Sequence, residues 1–299
     1  MKLADYLGME LARRCDVDAR IRVIDGDLAD SNGAMHVAES KADRFIMGGI
    51  AEQNMVSMAA GMAECGLLPW VFSFSAFLCY RAYDQIRVSI CQTGLPVVLV
   101  GSHAGGCLGR NGKTHQSLND VCVMASLPNI DIWAPVSAAE IPYMVSEIAE
   151  QNRAAYIRLP REAEGGLAFS PGTVVWLTEP SDCVLLSYGY STEIAMETHG
   201  LLADKGIDVG VLHICRLKPY PVEDIYEAIK YARALFIIED HYSFGGLASL
   251  TRHLLDRVRI SRVFAWPDGW TGGSGDTISL LEQAGLDPAS ICESIEEVL

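Results

Sequence analysis

The sequence predicts an α/β protein of two doubly wound domains with mainly parallel sheets, and three observations carry that reading. Apolar β-type runs alternate with helix-length stretches along almost the whole chain. The rhythm breaks once, near 161–178, where Gly165-Gly166 and Pro171-Gly172 punctuate a polar segment. At 299 residues the chain also exceeds the roughly 100–200 usual for one domain.

The elements follow in order. Ile21-Arg22-Val23-Ile24 reads as a strand, and a polar loop leads to a second at Phe45-Ile46-Met47. A helix is expected over 52–65, a strand over 69–74, a helix over 77–91, a strand over 96–100, a helix over 117–126 and a strand over 130–133. After the break come strand 183–187, helix 192–204, strand 209–213, helix 222–231, strand 234–238 and helix 246–257. A loop over 266–276 and a last helix through Leu299 complete the chain. The expected boundaries are a first domain over 1–165, a linker over 166–178 and a second domain over 179–299. In such open sheets ligands bind beyond the carboxyl ends of the strands, so the loops there are where chemistry is expected.

Composition narrows the function. A formal charge of −15 lacks the lysine and arginine surplus that nucleic acid requires. No run approaches the roughly 18 apolar residues of a membrane span. Nine cysteines are scattered singly without Cys-x-x-Cys, as reduced thiols in a cytoplasmic protein would be, and no export segment is evident at the N-terminus.

Three stretches could carry chemistry. Gly48-Gly49-Ile50-Ala51-Glu52 puts a carboxylate in the first turn of a helix, where it either complements the helix dipole or faces a ligand. Phe74, Phe77 and Tyr80 recur at three-residue spacing, which by periodicity alone means core. The loop from Gly101 to Gln116 is glycine-rich and holds His103 and His115. Its Gly112-Lys113-Thr114 mimics the end of a nucleotide-binding loop, but Cys107 stands where that motif needs glycine. The two histidines lack further ligands nearby for a metal, so no metal site is expected in this chain.

Gly-Ile-Ala-Glu-Gln-Asn-Met, with Tyr83-Asp84-Gln85-Ile86-Arg87, Thr114-His115-Gln116, Leu127-Pro128-Asn129 and Ile157-Arg158, resembles the pyrimidine-binding domain of transketolases and deoxyxylulose phosphate synthases. Arg216-Leu217-Lys218-Pro219 and Glu239-Asp240-His241 are similar to the family's C-terminal domain. The resemblance implies thiamine diphosphate as cofactor, with Glu52 bonding a pyrimidine ring nitrogen and Phe74, Phe77 and Tyr80 against its flat face. It implies catalytic or substrate roles for His103 and His115, and substrate contacts for Ser31, Asn111 and Arg158. For Arg158 a structural ion pair is the competing reading.

The family's Gly-Asp-Gly diphosphate and Mg²⁺ motif is missing; Asp25-Gly26-Asp27 has the wrong order. The resemblance therefore implies a partner, a diphosphate-binding N-terminal subunit that holds the Mg²⁺, in a heterotetramer with two copies of each chain. The implied activity is transfer of a two-carbon ketol unit from a ketose to an aldose or aldehyde. A deoxyxylulose-phosphate-synthase-like or 2-oxo acid decarboxylating subunit, and a catalytically silent subunit, are the alternatives. Where transketolases read Gly-Glu-Asp-Gly, this chain has Gly109-Arg110-Asn111-Gly112. Two carboxylates have become one cation and one amide, which points to a more anionic or otherwise altered donor.

Overall fold

The computed structural model describes residues 1–107, 111–161, 163–255, 258–269 and 274–299. The first unit runs α1 (Leu3–Arg14), β1 (Ile21–Asp25), α2 (Ala29–Asn32), α3 (Met35–Ser40), β2 (Phe45–Met47), α4 (Glu52–Glu64) and β3 (Leu68–Phe74). It continues through α5 (Tyr83–Gln85), β4 (Val98–Ala104), α6 (Asp120–Ala125), β5 (Ile130–Trp133), α7 (Glu140–Gln151) and β6 (Ala154–Pro160). The second comprises β7 (Val174–Trp176), β8 (Cys183–Ser187), α8 (Ser191–Asp204), β9 (Gly210–Ile214), β10 (Arg216–Lys218) and α9 (Val222–Ile229). After these come β11 (Ala234–Tyr242), α10 (Leu247–Leu254), β12 (Arg262–Trp266), α11 (Thr277–Ala284) and α12 (Pro288–Glu296).

The first sheet has seven strands in the order β10-β5-β6-β4-β3-β1-β2, parallel except where β10 pairs with β5. The second has five, β12-β11-β8-β9-β7, parallel except where β7 pairs with β9. Every residue of β3, β4 and β6 is buried, as central parallel strands with helices on both faces require. Alternation assigns the faces: Trp70 and Phe72 pack with α1 and α7, while Val71 between them packs with α4.

That second cluster does not stop at the domain edge. Val121, Met124, Ala134 and Leu217 share one apolar core with Val184, Leu186, Leu212 and Ile237. Two features knit the units further. β10 comes from the second half of the chain but completes the first sheet. His213 of β9 bonds Glu140 of α7 through Nε2 at 2.9 Å, both fully buried.

Two short strands depart from expectation. Residues 174–176, within the stretch read as linker, form β7, and β10 was not anticipated. The expected helix over 77–91 is present as α5 flanked by π-helical turns at Phe77–Arg81 and Ile86–Cys91. Such widened turns recur at functional sites. The last helix divides into α11 and α12 at Gly285, whose φ of +65° suits a residue without Cβ. Part of the loop expected over 266–276 lies outside the described residues.

Candidate active site

The carboxyl edge of the first sheet gathers three of the expected stretches. β3 and β4 are in register with Phe74 beside Ser102, so the ends of both strands arrive at one place. α4 begins there too. Gly49, at φ +71° and with open space around it, turns the chain so that Glu52 enters as the first helical residue.

Glu52 is 1 % exposed. Ser73 Oγ donates to its Oε1 at 3.0 Å, and Arg81 Nη1 donates to its Oε2 at 2.5 Å. The Arg81 guanidinium also lies over the Phe77 ring, 4.5 Å from its centroid. Donors on both oxygens fix this carboxylate in orientation at the helix N-terminus.

Aromatic rings stand beside it. Phe74 and Phe77 stack with centroids 5.7 Å apart, and His103 stacks on Phe74 at 4.0 Å. His115 meets both phenyl rings edge-on, at 6.0 and 5.3 Å. His103 takes a left-handed backbone conformation, φ 55°, uncommon for a non-glycine residue and a mark of local constraint. Burial, aided by the charges of Arg161 and Lys2 and by His115, pushes its pKa down to about 3.

Its tautomer follows from the bonds around it. Ser102 Oγ donates to Ser73 O at 3.3 Å, so it accepts from His103 Nδ1 at 3.2 Å. The proton sits on Nδ1, and Nε2 is left as an acceptor. A neutral imidazole of this kind can take a hydrogen bond from a substrate hydroxyl.

The structure thus brings together Glu52, Phe74, Phe77, His103 and His115. Tyr80 stands apart from the ring cluster: its hydroxyl donates to Asn119 Oδ1, and it lines a cavity of about 410 Å³ with Gln116, Tyr242 and Asp268. Ser31 lies in α2, its hydroxyl donating to Leu28 O at 3.0 Å. Asn111 is exposed. Arg110 and Gly109 lie outside the described residues.

The resemblance implied a phosphate contact for Arg158, with a structural ion pair as the competing reading; the side chain is 1 % exposed and ion-paired with Asp120, Nε standing 3.0 and 3.2 Å from the two carboxylate oxygens. Its Nη2 donates to Asp240 O at 2.7 Å across the domain seam. The guanidinium joins β6, α6 and β11.

Arg81 and Ser73 escaped the sequence reading. For Arg81 a signal existed, because Phe77 and Arg81 are four apart in a helical stretch and therefore neighbours on one face. For Ser73 the pairing with Glu52 spans 21 residues and is invisible locally.

At the carboxyl edge of the doubly wound first sheet, the buried Glu52 carboxylate and the stacked Phe74–Phe77 rings stand side by side. Comparison with known proteins identifies the family. Residues 1–165 match the transketolase pyrimidine binding domain and residues 172–291 the transketolase C-terminal domain. A protein named as a transketolase C-terminal section from Methanocaldococcus jannaschii is 31% identical over 292 residues, covering 92% of this chain and 89% of that one. A 6-deoxy-6-sulfo-D-fructose transketolase subunit from a Clostridium species is 30% identical, covering 94% and 89%. A 1-deoxy-D-xylulose-5-phosphate synthase from Caldanaerobacter subterraneus is 31% identical over 98% of this chain but only 48% of its own length. Among solved structures, one described as a split gene transketolase in an inactive beta4 tetramer is 30% identical, with a TM-score of 0.89, and covers 100% of this chain and 98% of that one. The chain belongs to the transketolase family, whose members depend on thiamine diphosphate. Among the described residues no helix is long and apolar enough to cross a membrane.

Proposed function

We propose that this chain is the pyrimidine-binding subunit of a two-subunit transketolase, transferring a two-carbon ketol unit from a ketose donor to an aldose or aldehyde acceptor. The observation that carries the reading is Glu52, 1 % exposed and presented by the start of α4 beside the Phe74–Phe77 pair. These residues fit an aminopyrimidine: a carboxylate for a ring nitrogen and flat apolar surface for the ring face. Bound thiamine diphosphate would supply the electron sink for the transferred unit.

This chain's residues would do the rest. Glu52 would hold the pyrimidine ring nitrogen by a hydrogen bond, and Ser73 keeps the carboxylate in place. Phe74 and Phe77 position the ring and exclude water. His103 accepts a donor hydroxyl at Nε2, and His115 stands over the same rings to orient the reacting carbon. Ser31 and Asn111 are proposed donor contacts that close on substrate, and Tyr80 flanks the ring site from the neighbouring cavity.

The diphosphate and Mg²⁺ would be held by a separate subunit, in a heterotetramer with two copies of each chain. Relatives of this length that are named as sections or subunits support a split arrangement. So do Met47 and Ile50, 53 % and 75 % exposed on the approach to Glu52, an apolar rim suited to a covering partner. A cytoplasmic role in carbohydrate metabolism goes with this activity.

A second reading, a synthase-type subunit that decarboxylates a 2-oxo acid, is favoured by the deoxyxylulose phosphate synthase match. One assay separates them. The chain mixed with its diphosphate-binding partner is given ketose phosphates with an aldehyde acceptor, or pyruvate with the same acceptor. Ketol transfer without CO₂ supports transketolase, and CO₂ release from pyruvate supports the synthase reading. Higher turnover of ordinary ketose phosphates than of more anionic ketoses would exclude an anionic donor preference.

A further inference from the structure

We infer that Arg81 is an internal occupant of the pyrimidine site, which the cofactor must displace before Glu52 can act. The inference rests on the reading of Glu52 as the pyrimidine contact. It starts from two contacts made by one side chain. Arg81 Nη1 takes Glu52 Oε2 at 2.5 Å, and the guanidinium carbon lies 4.5 Å from the Phe77 centroid.

A guanidinium is planar and carries N–H donors at its edge. An aminopyrimidine protonated on its ring nitrogen presents the same two features, a flat face and an edge donor. Arg81 therefore satisfies the carboxylate and covers the ring that the cofactor is proposed to use. A flat ligand ring and the guanidinium cannot both lie on the Phe77 face that Arg81 covers.

The geometry also says which group moves. Glu52 is 1 % exposed and held on its other oxygen by Ser73, whereas the Arg81 side chain is 45 % exposed. Arg81 ends a π-helical turn, and Ala82 after it has left helical geometry at φ −103°, ψ 14°. The arginine can swing into water while Ser73 keeps the carboxylate aimed. The cost of that swing lowers the apparent affinity by the fraction of chains in the open state.

The test is a calorimetric titration of thiamine diphosphate with Mg²⁺ into the reconstituted two-subunit complex, for the parent, Arg81→Ala, Glu52→Gln and the double variant. Arg81→Ala is expected to tighten binding about tenfold, equivalent to about 1.4 kcal/mol. In the Glu52→Gln background the same change is expected to alter affinity less than about twofold, because the carboxylate for which the two compete is gone. Arg81→Lys, which keeps the charge but loses the flat fork, is expected to fall between parent and Arg81→Ala. If Glu52→Gln weakens binding but Arg81→Ala leaves it unchanged or weaker, the inference about Arg81 is overturned and the site stands. If Glu52→Gln leaves affinity unchanged, the reading of Glu52 fails and takes the inference with it.

Discussion

Asp120→Ala is the substitution that best separates a structural Arg158 from a substrate-binding one. Asp120 is fully buried and Arg158 is 1 % exposed, so removal of the carboxylate takes the closer counter-charge from a guanidinium shut off from water and leaves it only Asp240, 3.5 Å away. Breaking a buried pair in this way costs about 3–5 kcal/mol. The Tyr156 hydroxyl, which donates to Asp120 Oδ2 at 2.7 Å, loses its charged acceptor as well, adding about 1 kcal/mol. Together these amount to about 4–6 kcal/mol, or a fall of roughly 10–20 °C in Tm for domains of this size. Arg158→Met is expected to destabilise similarly, since it leaves Asp120 unpaired. Asp120→Leu combined with Arg158→Met removes the closer pair but leaves Asp240, 3.5 Å from the guanidinium in the parent, without its counter-charge, so it is expected to recover only part of the loss. Differential scanning calorimetry of the single and double variants reads the stability, and KM for a phosphorylated donor in the assembled enzyme reads the site. Near-parental melting of both single variants, together with a raised KM for Arg158→Met, would refute the structural role and restore Arg158 to the phosphate.

Two titrating groups give further expectations. Burial pushes the Glu239 carboxyl up to about 8, against the opposing bonds from Ala248 and Leu247 N–H and the charge of Arg158. The folded chain therefore holds this proton where the unfolded chain has released it. The resulting stability is fully present below about pH 4.3, the ordinary glutamate value, and is lost as pH rises through about 8. Glu239→Gln, compared with the parent in denaturant titrations across that range, is expected to flatten the decline; an unchanged slope would count against it. For His103, whose pKa burial lowers to about 3, the sign is reversed. Its contribution is present above about pH 6.5 and is lost as the pH falls. Imidazole nitrogen NMR is expected to show His103 neutral, with its proton on Nδ1, from about pH 5 to 8; a proton on Nε2 would contradict the Ser102–Ser73 relay.

How much of this was legible in the sequence depended on how local its cause was. β3 and the central part of β4 are continuous apolar runs between turn residues, and each was readable from composition alone. β7 and β10 are three residues long and exist because β9 and β5 offer them edges; nothing within either segment predicts a partner. Glu52 was visible because a glycine pair, an apolar strand and a helix start flank it. The pairing of Arg81 with Glu52 was not, because the two lie 29 residues apart. Arg158 was drawn toward a phosphate by its motif, while the groups that claim it, Asp120 and Asp240, are 38 and 82 residues distant. Pairings between elements far apart in the chain come from topology, and topology is not written in local patterns.

The central claim is that this chain holds half of a thiamine diphosphate site and needs a second subunit to complete it. Calorimetric titration of thiamine diphosphate with Mg²⁺ into the purified chain, alone and then mixed with its candidate diphosphate-binding partner, tests this directly. Binding is expected only in the mixture, weakened there by Glu52→Gln. Tight binding by the chain alone, or binding in the mixture that is indifferent to Glu52, would contradict it.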